Sequence, residues 1–149
     1  MTDGYKIMPL AEVHVGRLAK MEAEIFTDAW SENAFRTLLT HDYCHYLVAE
    51  AGGKVVGFAG MTVIAGEGDV DKVMVAPEHR RRGLAEEMLR ELFALGGCLG
   101  VEAYTLEVRV GNEPAIRLYE KMGFRGEGVR PGFYEKPKED ALIMWKRLT

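Results

Sequence analysis

The chain has 149 residues, of which 48% are hydrophobic and 28% charged, a balance that suits one folded domain over residues 1–149 and excludes a low-complexity or disordered protein. Nineteen basic and 23 acidic residues leave a formal net charge of −4, which argues against a general nucleic-acid binder, since such a protein needs a basic field over a whole face. No apolar run approaches membrane-spanning length, no leader pattern opens the chain, and Cys44 and Cys98 lack metal or disulfide spacing, so the expectation is a soluble cytoplasmic protein with two buried thiols and no membrane partner.

Residues 5–8 alternate apolar and polar and predict a first strand ended by Pro9. From Leu10 to Phe26 an imperfect helical stripe runs through Val13, Leu18, Met21 and Ile25. Ser31, followed by Ala34, Phe35, Leu38 and Leu39, predicts an N-cap and a second short helix. Trp30, just before that cap, is placed either to anchor packing or to wall a substrate groove. His41 and His45 have the spacing of a helical metal pair, but the segment between them runs into a strand, so the rings would not share a face and no metal is expected. Residues 46–50 and 54–64 predict strands joined by Gly52-Gly53, and a third strand over 69–76 follows the Gly66-Glu67-Gly68 turn. Three strands with tight turns make an antiparallel meander, which excludes a doubly wound fold.

The stretch from Val73 to Leu95 carries the first functional signal. The apolar run Val73-Met74-Val75-Ala76 stops at Pro77, and Leu84, Met88, Leu89, Leu92 and Leu95 then recur at helical spacing: strand, tight loop, helix. Gly83 and the small Ala85 leave the first unpaired amides of that helix open to a ligand. The helix start carries partial positive charge and stands just after Arg80, Arg81 and Arg82. The plain alternative is a strand–helix turn with a solvated basic loop. As a phosphate seat it is hemmed by Asp69, Asp71, Glu78, Glu86 and Glu87, which limits it to one anionic ligand. It is neither the three-glycine dinucleotide loop nor a Gly-Lys-Ser/Thr loop.

Gly96-Gly97 and Gly100 predict the end of that helix, and residues 103–110 a strand parallel to the one at Val73. Asn112 as cap, Pro114 in the first turn and Gly123 past the end delimit a helix of about three turns. Two tail strands, 124–129 and 141–148, flank a predicted loop over 131–137. The whole reads as one α+β domain. Glu107 on a strand and Tyr119 on the next helix are close enough in sequence to face one cleft. A carboxylate there can accept a proton, and a phenol of ordinary pKa about 10 can donate one. By pattern alone, Glu107 also reads as the outward member of an alternating strand, Tyr119 as core packing, and Asn112 as a cap and nothing more.

Arg80-x-x-Gly83-x-Ala85 after a strand resembles the phosphate loop of the GNAT family of acetyl-coenzyme A-dependent N-acetyltransferases, and Asn112-x-x-Ala115-Ile116-x-Leu118-Tyr119-Glu120-x-x-Gly123-Phe124 its companion motif. Leu106-Glu107-Val108-Arg109, the Phe26 to Phe35 segment, Arg130-Pro131-Gly132-Phe133-Tyr134 and Glu139-Asp140-Ala141-Leu142-Ile143-Met144 are similar to the bacterial ribosomal-protein-alanine N-acetyltransferase (RimI-like) branch. Ala85 departs from the commoner second glycine. The resemblance implies a GNAT-like α+β fold, its mixed, mostly antiparallel sheet flanked by helices and opened at a splayed central parallel pair. It implies acetyl-CoA as cosubstrate with no metal. Backbone contacts of Val73, Met74 and Val75 would hold the pantetheine arm, Arg81, Arg82, Gly83, Leu84, Ala85 and Glu86 the pyrophosphate, and Asn112 would touch the coenzyme. Glu107 becomes the general base and Tyr119 the general acid, while Trp30, Phe133 and Tyr134 wall a peptide groove. The implied reaction is direct acetyl transfer in a ternary complex to the N-terminal α-amine of a protein, ribosomal and beginning with alanine, by a monomer or weak dimer. A small-amine N-acetyltransferase and a non-catalytic coenzyme-binding sensor are the alternatives.

Overall fold

The computed structural model describes residues 4–26 and 29–148. Strand β1 (Tyr5–Pro9) leads through a 3-10 turn (Glu12–His14) into helix α1 (Val15–Ile25). That turn resets the helical phase, so Val15, Leu18 and Met21 form the buried stripe, while Val13, expected on it, is exposed. Helix α2 (Glu32–Leu38) starts at Ser31, whose Oγ accepts the Ala34 amide at 3.2 Å, as the cap pattern predicts.

β2 (Cys44–Ala51), β3 (Lys54–Ile64) and β4 (Glu67–Val75) form the expected antiparallel meander. β4 begins earlier than the sequence suggests. Gly68 is sheet rather than turn, because a Cβ there would meet the Tyr104 ring at 2.7 Å, and the turn itself is made by Ala65 and Gly66 at φ 52° and 79°. Helix α3 (Leu84–Cys98) likewise runs through Gly96 and Gly97, where a break was expected. The Tyr104 hydroxyl occupies the space a Gly96 side chain would need, so this glycine serves packing and not a turn. Cys98, expected buried, ends α3 and faces solvent, whereas Cys44 is half-buried. β5 (Ala103–Arg109) and α4 (Glu113–Lys121) follow, the helix capped by Asn112 Oδ1 on the Ala115 amide at 3.3 Å.

β6 (Arg125–Glu135) and β7 (Lys138–Arg147) correct the reading of the tail. The predicted loop over 131–137 is mostly strand: pairing is interrupted after Arg130 and resumes at Tyr134↔Glu139 and Glu135↔Lys138. The Pro131-Gly132 step thus makes a bulge on an edge strand, where a missing donor is tolerated.

The seven strands form one sheet in the order β1-β2-β3-β4-β5-β7-β6, and only β4 and β5 run parallel. Helices pack on both faces of the sheet at β3. Met88 and Leu84 of α3 press on Gly57, and the neighbouring Phe58 points the other way onto Phe35 of α2, ring centroids 5.3 Å apart. Each fully buried Leu, Met or Phe here contributes roughly 1.5–3 kcal/mol by leaving water. Among the described residues no helix is long and apolar enough to cross a membrane.

Candidate active site

The central feature is a fork in the sheet. β4 and β5 pair only over Glu67, Gly68 and Asp69 against Ala103, Tyr104 and Thr105. Beyond that point Val73, Met74 and Val75 pair only with β3, and Glu107, Val108 and Arg109 only with β7. The facing edges therefore carry backbone donors and acceptors without a strand between them, which is an opening an extended ligand fits by adding its own amides.

One mouth of the opening is the start of α3. After β4 the chain makes a 3-10 turn (Pro77–His79), and Arg80 Nε donates to the Val75 carbonyl at 3.0 Å. Arg81 and Gly83 then take left-handed conformations, φ 63° and 78°. The helix has no side-chain cap, so the amides of residues 84–86 point out of its first turn. Glu86 would oppose an anion there, but Lys121 at 2.8 Å and Arg90 both bind its carboxylate and lower its pKa to about 2. These ion pairs offset its charge at the seat. The Lys121 bridge also ties α4 to α3 across the opening. Arg82 reaches the Tyr5 hydroxyl at 3.4 Å, and that hydroxyl lies 2.8 Å from His79 Nδ1, pinning the loop to β1.

A cleft of about 610 Å³ runs from this seat along β4. It is lined by Val73, Met74, Val75, Arg81, residues 83–86, Asn112 and Tyr119, so every coenzyme candidate from the sequence except Arg82 meets there. Arg82 instead lines the adjoining groove with Tyr5 and His79. A second cleft of about 380 Å³ lies on the β5 side and collects Glu107, Tyr119 and Tyr134 with Asp71, Lys72 and Arg109. Phe26, Val73, Asn112, Ala115 and Tyr119 line both, so the two clefts are continuous.

Glu107 is half-buried, with Arg130 Nη1 3.6 Å from its carboxylate. Tyr119 packs edge-on against Phe124 at 5.9 Å, and burial, followed by the nearby Tyr134, pushes its phenol up to about 12. The phenol therefore keeps its proton at neutral pH. Trp30 and Phe133 are not among the lining residues. Trp30 lies against Phe35 at 5.5 Å, and Phe133 is exposed, edge-on to Tyr134 at 5.0 Å.

The structure adds Glu22 and Lys72, which the sequence did not single out. Lys72 of β4 lines the second cleft, and its Nζ binds fully buried Glu22 of α1 at 2.7 Å and sits over the Phe26 and Trp30 rings at 4.3 and 4.5 Å. The Trp30 amide donates to the same Glu22 oxygen at 3.4 Å, so Trp30 is tied by its backbone to α1. Asp69, the last residue of β4 to pair with β5, is pushed up to about 6 by burial and then by Asp71, Glu107 and Glu67, with Arg130 opposing. Glu22 and Lys72 are 50 positions apart, so no local pattern could have paired them.

A mixed sheet opened at its one parallel pair, with a helix amide terminus at the opening, is the acyl-coenzyme A N-acyltransferase fold. The family model described as acetyltransferase (GNAT) family matches residues 15–124, and the chain belongs to that family. It is 34% identical over 151 residues to the N-alpha-acetyltransferase RimI of Mycobacterium tuberculosis, covering 96% of this chain and 92% of the relative. It is 33% identical over 117 residues to the [ribosomal protein bS18]-alanine N-acetyltransferase of Escherichia coli, covering 77% and 78%. The crystal structure of the ribosomal-protein-S18-alanine N-acetyltransferase from Escherichia coli superimposes with a TM-score of 0.88 at 28% identity, over 97% of this chain and 94% of that one.

Proposed function

We propose that this protein moves an acetyl group from acetyl-coenzyme A to the N-terminal α-amine of a protein, a ribosomal protein beginning with alanine, by direct transfer in a ternary complex. The observation that carries the reading is the continuity of the two clefts through Val73, Asn112 and Tyr119, which joins a phosphate seat to a carboxylate and a phenol. The relatives named for N-terminal alanine acetylation support the substrate class.

The residues fit the coenzyme because α3 offers uncapped amides and β4 offers an unpaired backbone edge. The amides of residues 84–86 would hold the pyrophosphate and the Val73 to Val75 edge the pantetheine arm. The coenzyme supplies the activated acetyl thioester. Glu107 accepts the amine proton as nitrogen bonds to the carbonyl carbon, and Tyr119 delivers its proton to the sulfur as the carbon–sulfur bond breaks. Cys44 and Cys98 line neither cleft, which supports direct transfer over a thiol intermediate. The acceptor end carries both signs, Asp71 and Glu107 beside Lys72, Arg109 and Lys136. Mixed charge suits a peptide terminus, whereas a polyamine would meet a cation beside each carboxylate.

The test is thiol release from acetyl-coenzyme A across peptides with free N-terminal Ala, Ser or Met, the same peptides with a blocked terminus, and polyamines. Turnover confined to free N-terminal peptides, best with Ala, is expected, with intersecting initial-rate lines. Turnover confined to polyamines would overturn the substrate class. Glu107→Gln is expected to lose most turnover with little change in coenzyme affinity.

A further inference from the structure

The β6–β7 hairpin supplies one wall of the acceptor cleft through Tyr134, yet this wall stands on an edge strand with a bulge just before it. Edge strands of this kind are held on one side only, so some other contact must fix the side chain. That contact comes from the end of β5. Arg109 Nη1 donates to the Pro137 carbonyl at 2.8 Å and to Glu139 Oε1 at 3.3 Å, and Nη2 donates to the Lys136 carbonyl at 3.1 Å. The guanidinium carbon lies 4.2 Å from the centre of the Tyr134 ring. The second oxygen of Glu139 accepts the Gly111 amide at 2.8 Å, closing the link back to the turn after β5. A Cβ at Gly111 would stand 2.8 Å from that oxygen, so the turn is built to admit it.

We infer that Arg109 is a positioning residue for the acceptor: it grips the Lys136-Pro137 turn and stacks on Tyr134, and so fixes the ring as a wall of the cleft that holds Glu107 and Tyr119. The inference rests on the proposed function for what the cleft binds, but not for the clamp itself. Four contacts from one planar, charged fork are a task lysine cannot copy, because a single ammonium cannot grip two carbonyls and stack on a ring at once. Removing the fork frees the hairpin while leaving Glu107 on its β7-paired strand, so peptide capture suffers and the chemistry, once peptide is bound, does not.

The experiment uses the full chain as Arg109→Met, Arg109→Lys, Tyr134→Ala and the double variant Arg109→Met with Tyr134→Ala. With an Ala-terminated peptide, Arg109→Met is expected to raise the peptide KM about tenfold, with kcat and the acetyl-coenzyme A KM held within about threefold, and Arg109→Lys to recover part of the loss. The double variant is expected to match Tyr134→Ala alone, because an effect exerted through Tyr134 has nothing left to act on. Additive losses, or a fall in kcat with the peptide KM unchanged, would overturn the inference. Amide hydrogen exchange over residues 133–139 is read in the same variants, with faster exchange there in Arg109→Met and the rest of the sheet unchanged. Unchanged exchange would overturn the clamp by itself. Absence of peptide turnover by the unaltered protein would instead defeat the proposed substrate, while the exchange result would still decide the clamp.

Discussion

Glu107 and Tyr119 differ in what their surroundings ask of them. Glu107 is half-buried, pairs with Arg130 Nη1 at 3.6 Å and lines the cleft, the exposure that its proposed role as base needs. Tyr119 is half-buried, and burial raises its phenol to about 12, so in its proposed role its deprotonation sets no alkaline limit on the rate until the pH approaches that value. Tyr119→Phe keeps the ring against Phe124 and removes only the hydroxyl. A kcat lower by about 100-fold, with an unchanged melting temperature, is the expected outcome from steady-state kinetics and calorimetry. A rate loss under threefold, or a falling limb near pH 10 that disappears in the variant, would remove Tyr119 from the role of loaded acid.

At the scale of elements, the proposed pyrophosphate seat rests on the start of α3, whose first amides carry no side-chain cap. Gly83 sits at φ 78°, and a Cβ there would meet no atom within 4 Å, so the effect of a side chain comes from the backbone alone. Gly83→Ala should strain the loop by about 1–2 kcal/mol and turn the first amides away from the seat. That strain corresponds to an acetyl-coenzyme A KM about tenfold higher, with the acceptor KM unchanged, measured by varying each substrate in turn. An unaltered coenzyme KM would show that the loop tolerates the residue and that the seat lies elsewhere. The local pattern made this element legible: the arginines, the glycine and the helical spacing stand within one stretch. It did not do so for β6, where Pro131 and Gly132 read as a loop, because the pairing that makes the segment a strand comes from Glu139 and Lys138 on β7.

Across the whole molecule, the wall of the cleft on the β5 side rests on a buried ion pair. Glu22 is fully buried and Lys72 nearly so, 2.7 Å apart, joining α1 to the floor of the fork. Lys72→Met would leave an unpaired buried carboxylate at a cost of about 3–5 kcal/mol, enough to lower the melting temperature by roughly 10 °C. Replacing both, Glu22→Leu with Lys72→Met, should recover most of it, and a double variant as unstable as the single one would mean that packing rather than charge sets the effect. Asp69 gives the fold a pH dependence of known sign. Its folded pKa, about 6, lies above the ordinary 3.8, so the folded state holds the proton more tightly than the unfolded chain. Stability from this residue is present below about pH 4 and is lost as the pH rises through 6. Asp69→Asn should melt above the unaltered protein at pH 8 and level with it near pH 4, and a gap that is the same at both values would place the effect on something other than this titration.

Local sequence was enough for the short-range features: the antiparallel meander, the helix caps at Ser31 and Asn112, the strand–loop–helix over Val73 to Leu95, and the motifs that carry the family resemblance. Each rests on residues within a turn or two of one another, where backbone propensity and side-chain spacing act directly. Tertiary structure alone decided that β4 and β5 part after three paired residues, that the two clefts meet at Tyr119, and that Lys72 finds Glu22. It also decided that Trp30 is tied by its backbone to α1 and that Arg109 holds Tyr134. Those contacts join residues from 8 to 50 positions apart. Their energies come from burial and charge pairing that exist only once the sheet has closed around them.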